Sequence, residues 1–340
     1  MVARETKTCG PLTERAPVAS IVSEMASETI SLREADSVEI TTVLDNTVDL
    51  LLPSSETVRR PWLGATLGKK CLVAEHGFSA TVKVNGGESS ESLLFDAGLS
   101  RDGLMHNLDV LEIRANELHA VALSHGHADH TNGLAGMVRR LGGQRMPVVL
   151  HPDAMLQRKV MLPDGHEINL PPPDRRALRH DGVEVIEERG PSTLLGDLVL
   201  ITGQIHRSTD FEKGFPIHWA KVGRKWQPDP WIHDDQAVVV NVRGKGLVIL
   251  TGCGHAGVIN TIRHAQALTG VQRVHAVIGG FHLSGAIFEP IIEPTVRALK
   301  EIAPELIVPA HCTGWRAAHA IAREFPGAFV QNSVGTRFLI

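Results

Sequence analysis

The apolar run Ala120-Val121-Ala122-Leu123-Ser124 is followed at once by His125-Gly126-His127-Ala128-Asp129-His130. The run predicts a buried strand, and the next six residues carry three imidazoles and a carboxylate. A divalent ion satisfies their lone pairs best near neutral pH, because burying such groups unpaired is costly. In an extended segment His125 and His127 point to the same side, whereas Asp129 and His130 lie where the chain turns. This stretch therefore predicts a metal site that holds one ion or two.

Composition narrows the class of protein. The 340 residues are 43% hydrophobic and carry a net charge of −4, which fits a chain with an ample core and gives no sign of a nucleic-acid or anionic-membrane partner. No apolar run approaches membrane-spanning length. Of the four cysteines, Cys253 and Cys312 lie beside histidines, so they do not form a disulfide framework. We expect a cytoplasmic protein, and the sequence indicates no oligomeric state.

The chain is predicted to have one domain preceded by a leader. Residues 1–36 alternate charged, hydroxylated and small residues without the apolar core of a secretory signal, which predicts a mobile N-terminal leader. Residues 37–340 are predicted to form a single domain. Two irregular stretches interrupt it, at about 152–189 and 204–235, and such stretches are either lids over a binding site or covers for a sheet edge.

The secondary-structure pattern alternates strands with helices, which is typical of an α/β protein. Helical spacing of apolar residues appears at 134–141, 258–268 and 292–302. Strands are predicted at 38–45, 71–84, 92–96, 120–124, 147–150, 198–202, 237–242, 247–251, 274–278, 306–309 and 336–340. Two sheets packed face to face with helices outside, a four-layer αββα sandwich, explain this order. A doubly wound sheet is the alternative, but the many hairpin-like early strands count against it.

Several later strands also end in polar residues that could complete the site. Asp96 is expected to hold a ligand or the turn backbone, and His255 and His311 are expected to be ligands. His282 is expected either to bond substrate or to support a ligand from behind, and His76 either lines the pocket or is a surface residue. A single histidine is more often solvated than a ligand, and this is the expectation for His151, His166, His180, His206, His218 and His233.

These residues resemble the metallo-β-lactamase superfamily. His125-x-His127-x-Asp129-His130 matches its signature, Asp96 its earlier structural aspartate and His311 its last ligand, and the resemblance covers residues 38–340. Smaller motifs resemble the branch named after 7,8-dihydropterin-6-ylmethyl-4-(β-D-ribofuranosyl)aminobenzene 5′-phosphate synthase. These are Asp45-Asn46-Thr47-x-Asp49, Glu75-His76-Gly77, Thr251-Gly252-Cys253-Gly254-His255-Ala256-Gly257, Gly280-Phe281-His282 and His311-Cys312-Thr313-Gly314. The resemblance implies the αββα fold and a metal-dependent enzyme.

The sequence departs from the superfamily pattern in two places. Thr202-Gly203-Gln204 stands where a Pro-Gly-His ligand is usual, and Cys253 stands where a bridging aspartate is usual. The resemblance then implies that His125, His127 and His255 hold one ion. Asp129, His130 and His311 would hold the other, with Asp96 and Cys253 behind the ligands. Nitrogen and oxygen donors suit Zn²⁺, with Mn²⁺ or Fe as alternatives.

The resemblance also suggests functional roles. Asp129 would orient water or move its proton, His282 would assist catalysis, and Asn46, His76 and Arg207 would contact substrate. The leading interpretation is a metal-dependent hydrolase of a phosphoester, lactone or similar small-molecule bond. One alternative is a pterin-pathway synthase that binds a phosphoribosyl substrate, with Arg207 or Lys213 near the site. The other is a non-catalytic, metal-stabilised ligand sensor.

Overall fold

The computed structural model describes residues 29–61, 71–141 and 144–340. Within these residues, the helices are α1 Gly103–Val110, α2 Ala128–Thr131, α3 Leu134–Val138, α4 Arg175–Leu178, α5 Val258–Thr269, α6 Ile292–Ile302 and α7 Trp315–Glu324. The strands are β1 Glu34–Ala35, β2 Ser37–Leu44, β3 Val58–Arg59, β4 Ser79–Gly86, β5 Ser89–Phe95, β6 Ala120–Ala122, β7 Met146–Leu150, β8 Gln157–Met161, β9 Glu167–Leu170, β10 Val183–Glu187, β11 Ser192–Leu194, β12 Val199–Ile201, β13 His218–Val222, β14 Lys225–Pro228, β15 Ala237–Val242, β16 Gly246–Thr251, β17 Val274–Gly280, β18 Leu306–Ala310 and β19 Arg337–Leu339.

Two large sheets face each other. The first has the strand order β10-β7-β6-β5-β4-β2-β19-β3, and the second runs β11-β12-β15-β16-β17-β18 with β1 paired to β15. Within the first sheet, β5, β6 and β7 are parallel, and within the second, β16, β17 and β18 are parallel. The carboxyl ends of each parallel set therefore lie along one edge of its sheet.

The layers follow from which face each residue buries. In β15, Val238 and Val240 pack into the core between the sheets, while Ala237 and Val239 pack beneath the outer helices α5, α6 and α7. A strand that is buried on both faces reads as a continuous apolar run, which is the pattern of this segment. On the far side, α1 and α3 cover the first sheet through Leu104 and Met137. The predicted four-layer αββα sandwich is confirmed.

The two irregular stretches contain most of the strands that the sequence did not predict. Strands β8 and β9 come from the first stretch, β13 and β14 from the second, and together they form a separate small sheet of order β14-β13-β8-β9. The central pairing is antiparallel and joins β13 to β8, with His218 opposite Val160. Strands from both stretches thus form one unit, which we call the small sheet, while β10 at the end of the first stretch pairs with β7 in the first large sheet.

Other boundaries also differ from the prediction. The predicted leader includes β1, whose Glu34 and Ala35 pair with Asn241 and Val242, so residues 34–35 belong to the second sheet. Residues 1–28 of that leader lie outside the described residues. The strand predicted at 71–84 begins only at Ser79, because the Glu75-His76-Gly77 segment turns and the Gly77 N–H donates to the Glu75 carbonyl. No helix of the described residues is long and apolar enough to cross a membrane.

Candidate metal centre

The signature stretch leaves β6 and turns into α2 at the edge where the parallel strands end. Asp96, directly after β5, holds this turn: its carboxylate accepts hydrogen bonds from the Ser124 N–H and from the Ser124 hydroxyl, each at 2.7 Å. Gly126 must be glycine, because an added Cβ would lie 2.0 Å from the carbonyl oxygen of Ala154. The sequence folds here so that the imidazoles on either side of Gly126 point into the edge between the sheets.

His125, His127 and His255 form the first donor cluster, which we call the three-histidine group. His125 Nε2 lies 2.9 Å from His127 Nδ1, and His255 Nε2 lies 3.2 Å from that same nitrogen. Burial, reinforced by the charges of neighbouring histidines, lowers the pKa of all three imidazoles well below the usual value. The rings are therefore neutral at pH 7, with lone pairs available for an ion.

Asp129, His130, Cys253 and His311 form the second cluster, the mixed-donor group. His130 Nε2 lies 3.1 Å from Cys253 Sγ and 3.2 Å from His311 Nε2, which in turn is 3.3 Å from Asp129 Oδ2. Cys253, predicted to stand behind the ligands, has its sulfur among the donor atoms. Burial raises the pKa of its thiol, whereas a coordinated cation would deprotonate it.

Charges in the mixed-donor group are strongly coupled. Burial alone would lower the pKa of His130, but the carboxylates of Asp96 and Asp129 more than offset this and raise it to about 9. Burial alone would raise the pKa of Asp129, but His130 and His311 hold it below its usual value. The group therefore carries an ionised carboxylate beside an imidazolium proton, and a divalent ion could replace that proton.

A third candidate cluster, with one residue from each group, links the two groups. Cys253 and His255 form a further candidate cluster with His282, in which all the donor atoms lie within 4.8 Å of one another. His282 has a φ of 45°, a conformation that side-chain-bearing residues rarely adopt. The buried Nδ1 atoms of His255 and His282 have no hydrogen-bond partner among the described residues.

Hydrogen bonds behind the imidazoles aim their lone pairs into the two groups. The Ser124 hydroxyl donates to Asp96 and lies 2.9 Å from His125 Nδ1, so it accepts from that nitrogen and leaves Nε2 free. His130 Nδ1 lies 2.6 Å from Asp96 Oδ2, and His311 Nδ1 lies 3.3 Å from the Asn46 side-chain oxygen. Partners of this kind fix the tautomer of metal-binding histidines. The residues present therefore fit a bound divalent ion.

His127 is supported by a chain of buried charges from the small sheet. Its Nε2 lies 3.0 Å from His218 Nε2, and His218 Nδ1 lies 3.0 Å from the carbonyl oxygen of Asp229. The Asp229 carboxylate accepts from Arg158, whose guanidinium also donates to both oxygens of Asp234. Asp234 also accepts a hydrogen bond from the Gly126 N–H at 2.8 Å, which connects these buried charges to the signature stretch.

The expectation that His218 is solvated is wrong, because His218 is fully buried beside His127. His151, expected to be solvated too, is also buried, and its Nδ1 accepts from the Asp153 N–H. In the structure the segment His218–Val222 alternates in burial as a half-buried strand does. Nothing in that alternation shows that its first residue meets His127.

The three residues predicted to contact substrate have different positions relative to the donor groups. The Asn46 amide donates to the His311 carbonyl at 3.0 Å, so Asn46 holds a donor of the mixed group. His76 is exposed, with Nε2 3.9 Å from Asp129 Oδ2, and it lies at the mouth of that group. Arg207 has its guanidinium over the Trp231 ring, 5.2 Å from the centroid, and donates to the Trp231 carbonyl, while its buried Nη1 has no hydrogen-bond partner among the described residues.

Facing sheets with two adjoining groups of candidate metal ligands at one edge define an αββα sandwich with a candidate metal centre. The family model described as the metallo-beta-lactamase superfamily matches residues 83–268, and the chain belongs to that superfamily. This membership confirms the resemblance seen in the signature stretch.

Individual relatives are similar over most of the chain. A protein of Methanocaldococcus jannaschii named 7,8-dihydropterin-6-methyl-4-(beta-D-ribofuranosyl)-aminobenzene-5'-phosphate synthase is 29% identical over 268 residues, covering 77% of this chain and 89% of its own length. An uncharacterized protein of the same organism is also 29% identical, over 78% of this chain and 94% of its own. The crystal structure of Tm1679, described as a metal-dependent hydrolase of the beta-lactamase superfamily, superposes with a TM-score of 0.68 at 26% identity, covering 88% of this chain and 98% of that one.

Proposed function

We propose that the protein is a metal-dependent hydrolase that acts on a phosphoester, lactone or similar bond of a small molecule. The observation that carries this proposal is the convergence of two donor groups that share a boundary at Cys253 and His255. Adjacent sites of this kind can clamp both the attacking and the leaving oxygen of a displacement. Similarity to Tm1679, described as a metal-dependent hydrolase, supports the same class of chemistry.

The donor residues have distinct parts in such a reaction. His125, His127 and His255 would hold one ion, and Asp129, His130, Cys253 and His311 the other. A bound Zn²⁺ or a similar ion lowers the pKa of coordinated water from near 16 to about 7. Asp129 stays ionised because its pKa is held low, so its role is to orient water by accepting a hydrogen bond. His282, with an unpartnered Nδ1, is placed to exchange a proton.

A synthase is the second candidate function, supported by the printed name of the Methanocaldococcus jannaschii relative. In that case the ions would bind a phosphoribosyl group rather than activate water. Arg207 donates to the Trp231 carbonyl through Nη2, but its buried Nη1 has no hydrogen-bond partner among the described residues, so it could still bind a phosphate oxygen. Lys213 is a second, exposed candidate cation near His255 and His282.

An assay with a generic phosphodiester and a generic lactone, each with added Zn²⁺ or Mn²⁺, tests the proposed hydrolase. We expect turnover that chelation abolishes and that His127→Ala reduces below detection. His166→Ala serves as the matched control because His166 is exposed in the loop before β9, and it should retain full activity. Metal-loaded protein that turns over neither ester class, yet binds a phosphoribosyl compound tightly, would contradict the hydrolase and favour the synthase.

A further inference from the structure

A cavity of about 350 Å³ lies beside the three-histidine group. Three segments form it: the second irregular stretch, the turn between β16 and α5, and the turn between β17 and α6. We call it the phenylalanine pocket, defined by Phe211, Lys213, Phe281, Ile287, Phe288 and Ile291. His255 and His282 line it as well, so one wall is continuous with the candidate metal centre.

Aromatic contacts shape the wall next to the donors. The Phe288 ring meets His282 edge-on, with centroids 4.3 Å apart and planes at 77°, and it meets Phe215 at 5.2 Å and 65°. The centroids of the His282 and His255 rings are in turn 4.2 Å apart. Edge-to-face and offset contacts are the arrangements that aromatic rings prefer, and a further ring entering the cavity could extend them.

Two charged residues line the pocket: Glu212 is buried and Lys213 is exposed. Glu212 contributes to its lining, but its carboxylate accepts the Ile259 and Asn260 N–H groups of the first turn of α5 at 2.9 and 2.8 Å. Both oxygens are therefore occupied by the fold. Lys213 is exposed and has no ion-pair partner within the described part of the chain, which leaves a free cation beside an apolar interior.

We propose that the phenylalanine pocket binds an aromatic group of the substrate, so that the preferred substrates are aryl esters with an anionic reacting centre. The inference rests on the proposed function. The ring would bury the apolar side chains of the pocket, and the anionic centre would reach the donor groups beyond His255. Pockets of this volume that are mostly apolar with a few polar groups are typical of small-molecule sites.

Calorimetric titration with two phosphonates that cannot be hydrolysed tests this proposal without depending on turnover. The probes are 1-naphthylmethylphosphonate and methylphosphonate, each added to protein loaded with Zn²⁺. We expect the naphthyl compound to bind at least about tenfold more tightly, which corresponds to about 1.4 kcal/mol. Equal dissociation constants for the two probes would overturn the proposal.

Variants of pocket residues test whether the preference for the naphthyl compound arises in the phenylalanine pocket. Ile287 is 42% exposed, so Ile287→Asn should fold normally, and we expect it to weaken binding of the naphthyl compound about three- to tenfold without affecting methylphosphonate. Ile168→Asn on β9 is the matched control because Ile168 is 49% exposed and lies outside the pocket, and it should change neither constant. Phe288→Ala, with its fold checked by circular dichroism, should weaken naphthyl binding about tenfold.

The outcomes separate this proposal from the proposed function. Preference for the naphthyl compound without hydrolysis of any ester would retain the pocket and reject the hydrolase. Hydrolysis by a protein that binds both phosphonates equally would retain the hydrolase and reject the pocket. An equal loss of naphthyl binding in Ile287→Asn and Ile168→Asn would also reject it.

Discussion

The two donor groups lie side by side but differ in charge. The three-histidine group is built from neutral imidazoles, and the buried Arg158 guanidinium helps to lower the pKa of His125 and His127. The mixed-donor group contains the Asp129 carboxylate and the Cys253 sulfur, with the Asp96 carboxylate bonded behind His130. A divalent cation is attracted more strongly to the second arrangement. We therefore expect the mixed-donor group to bind its ion more tightly and the three-histidine group to lose its ion first.

The largest expected effect comes from removing the charge of the mixed-donor group. Asp129→Asn should lower kcat/KM about 10²–10⁴-fold, because the residue both holds an ion and orients water. It should also lower the zinc content measured by elemental analysis by one ion per chain. Asp181→Asn, at an exposed loop position, is the control. An unchanged zinc content in Asp129→Asn would show that the charge difference between the groups does not govern metal binding.

The sulfur atom offers a spectroscopic distinction. With Co²⁺ in place of Zn²⁺, Cys253 should give a thiolate-to-metal absorption in the near ultraviolet that Cys253→Ser lacks and Cys71→Ser retains. The serine variant should also bind Zn²⁺ about tenfold to a hundredfold more weakly, because soft thiolates favour zinc. Identical cobalt spectra for the wild type and Cys253→Ser would show that Cys253 is not a metal ligand and stands behind the ligands, as the sequence predicted.

Support from the small sheet should matter mainly for the three-histidine group. His218→Ala removes the partner of His127 Nε2, so we expect the weaker zinc site to lose about 10–100-fold in affinity while the tighter site changes little. Competition with a chromophoric chelator measures both constants, and His166→Ala is the control. Equal weakening of both sites would mean that the small sheet supports the whole centre.

The smallest effect is expected at Asn46, which supports the mixed-donor group. Asn46→Ala removes one hydrogen bond to the His311 carbonyl and one to its ring. The affinity of the tighter site should fall less than about tenfold, because these bonds support His311 rather than the ion, so only part of the about 0.5–1.5 kcal/mol that each neutral hydrogen bond contributes is lost from metal binding. The same chelator competition measures it, with Asn116→Ala at an exposed position as the control. A larger loss at Asn46 than at His218 would reverse the proposed ranking of the supports.

Most of the candidate centre could be predicted from the sequence because of one geometric rule. Strand-ending residues such as Asp96, His125, Cys253, His282 and His311 follow strands of the two parallel sets, and those strands end at a common edge. A reader of the sequence therefore needs only the strands and the polar residues that follow them. The sandwich itself was predicted from the alternation of strands and helices and from the hairpin-like early strands.

The support of His127 could not be predicted in this way. His218 and Arg158 lie on β13 and β8, which pair antiparallel across a long separation within the two irregular stretches. No local spacing specifies that pairing, and a lone histidine in a polar stretch is usually solvated. The orientation of the Arg207 side chain could not be predicted either, because it depends on contacts with Trp231, which lies 24 residues further along the chain.

The pairing of β8 with β13 has a consequence for chimera construction. Replacing residues 152–189 alone would remove the strand that pairs with β13 and the guanidinium that donates to Asp229. Replacing residues 204–235 alone would leave the buried Arg158 without its carboxylate partners. Chimeras that fold should therefore carry both segments from the same parent.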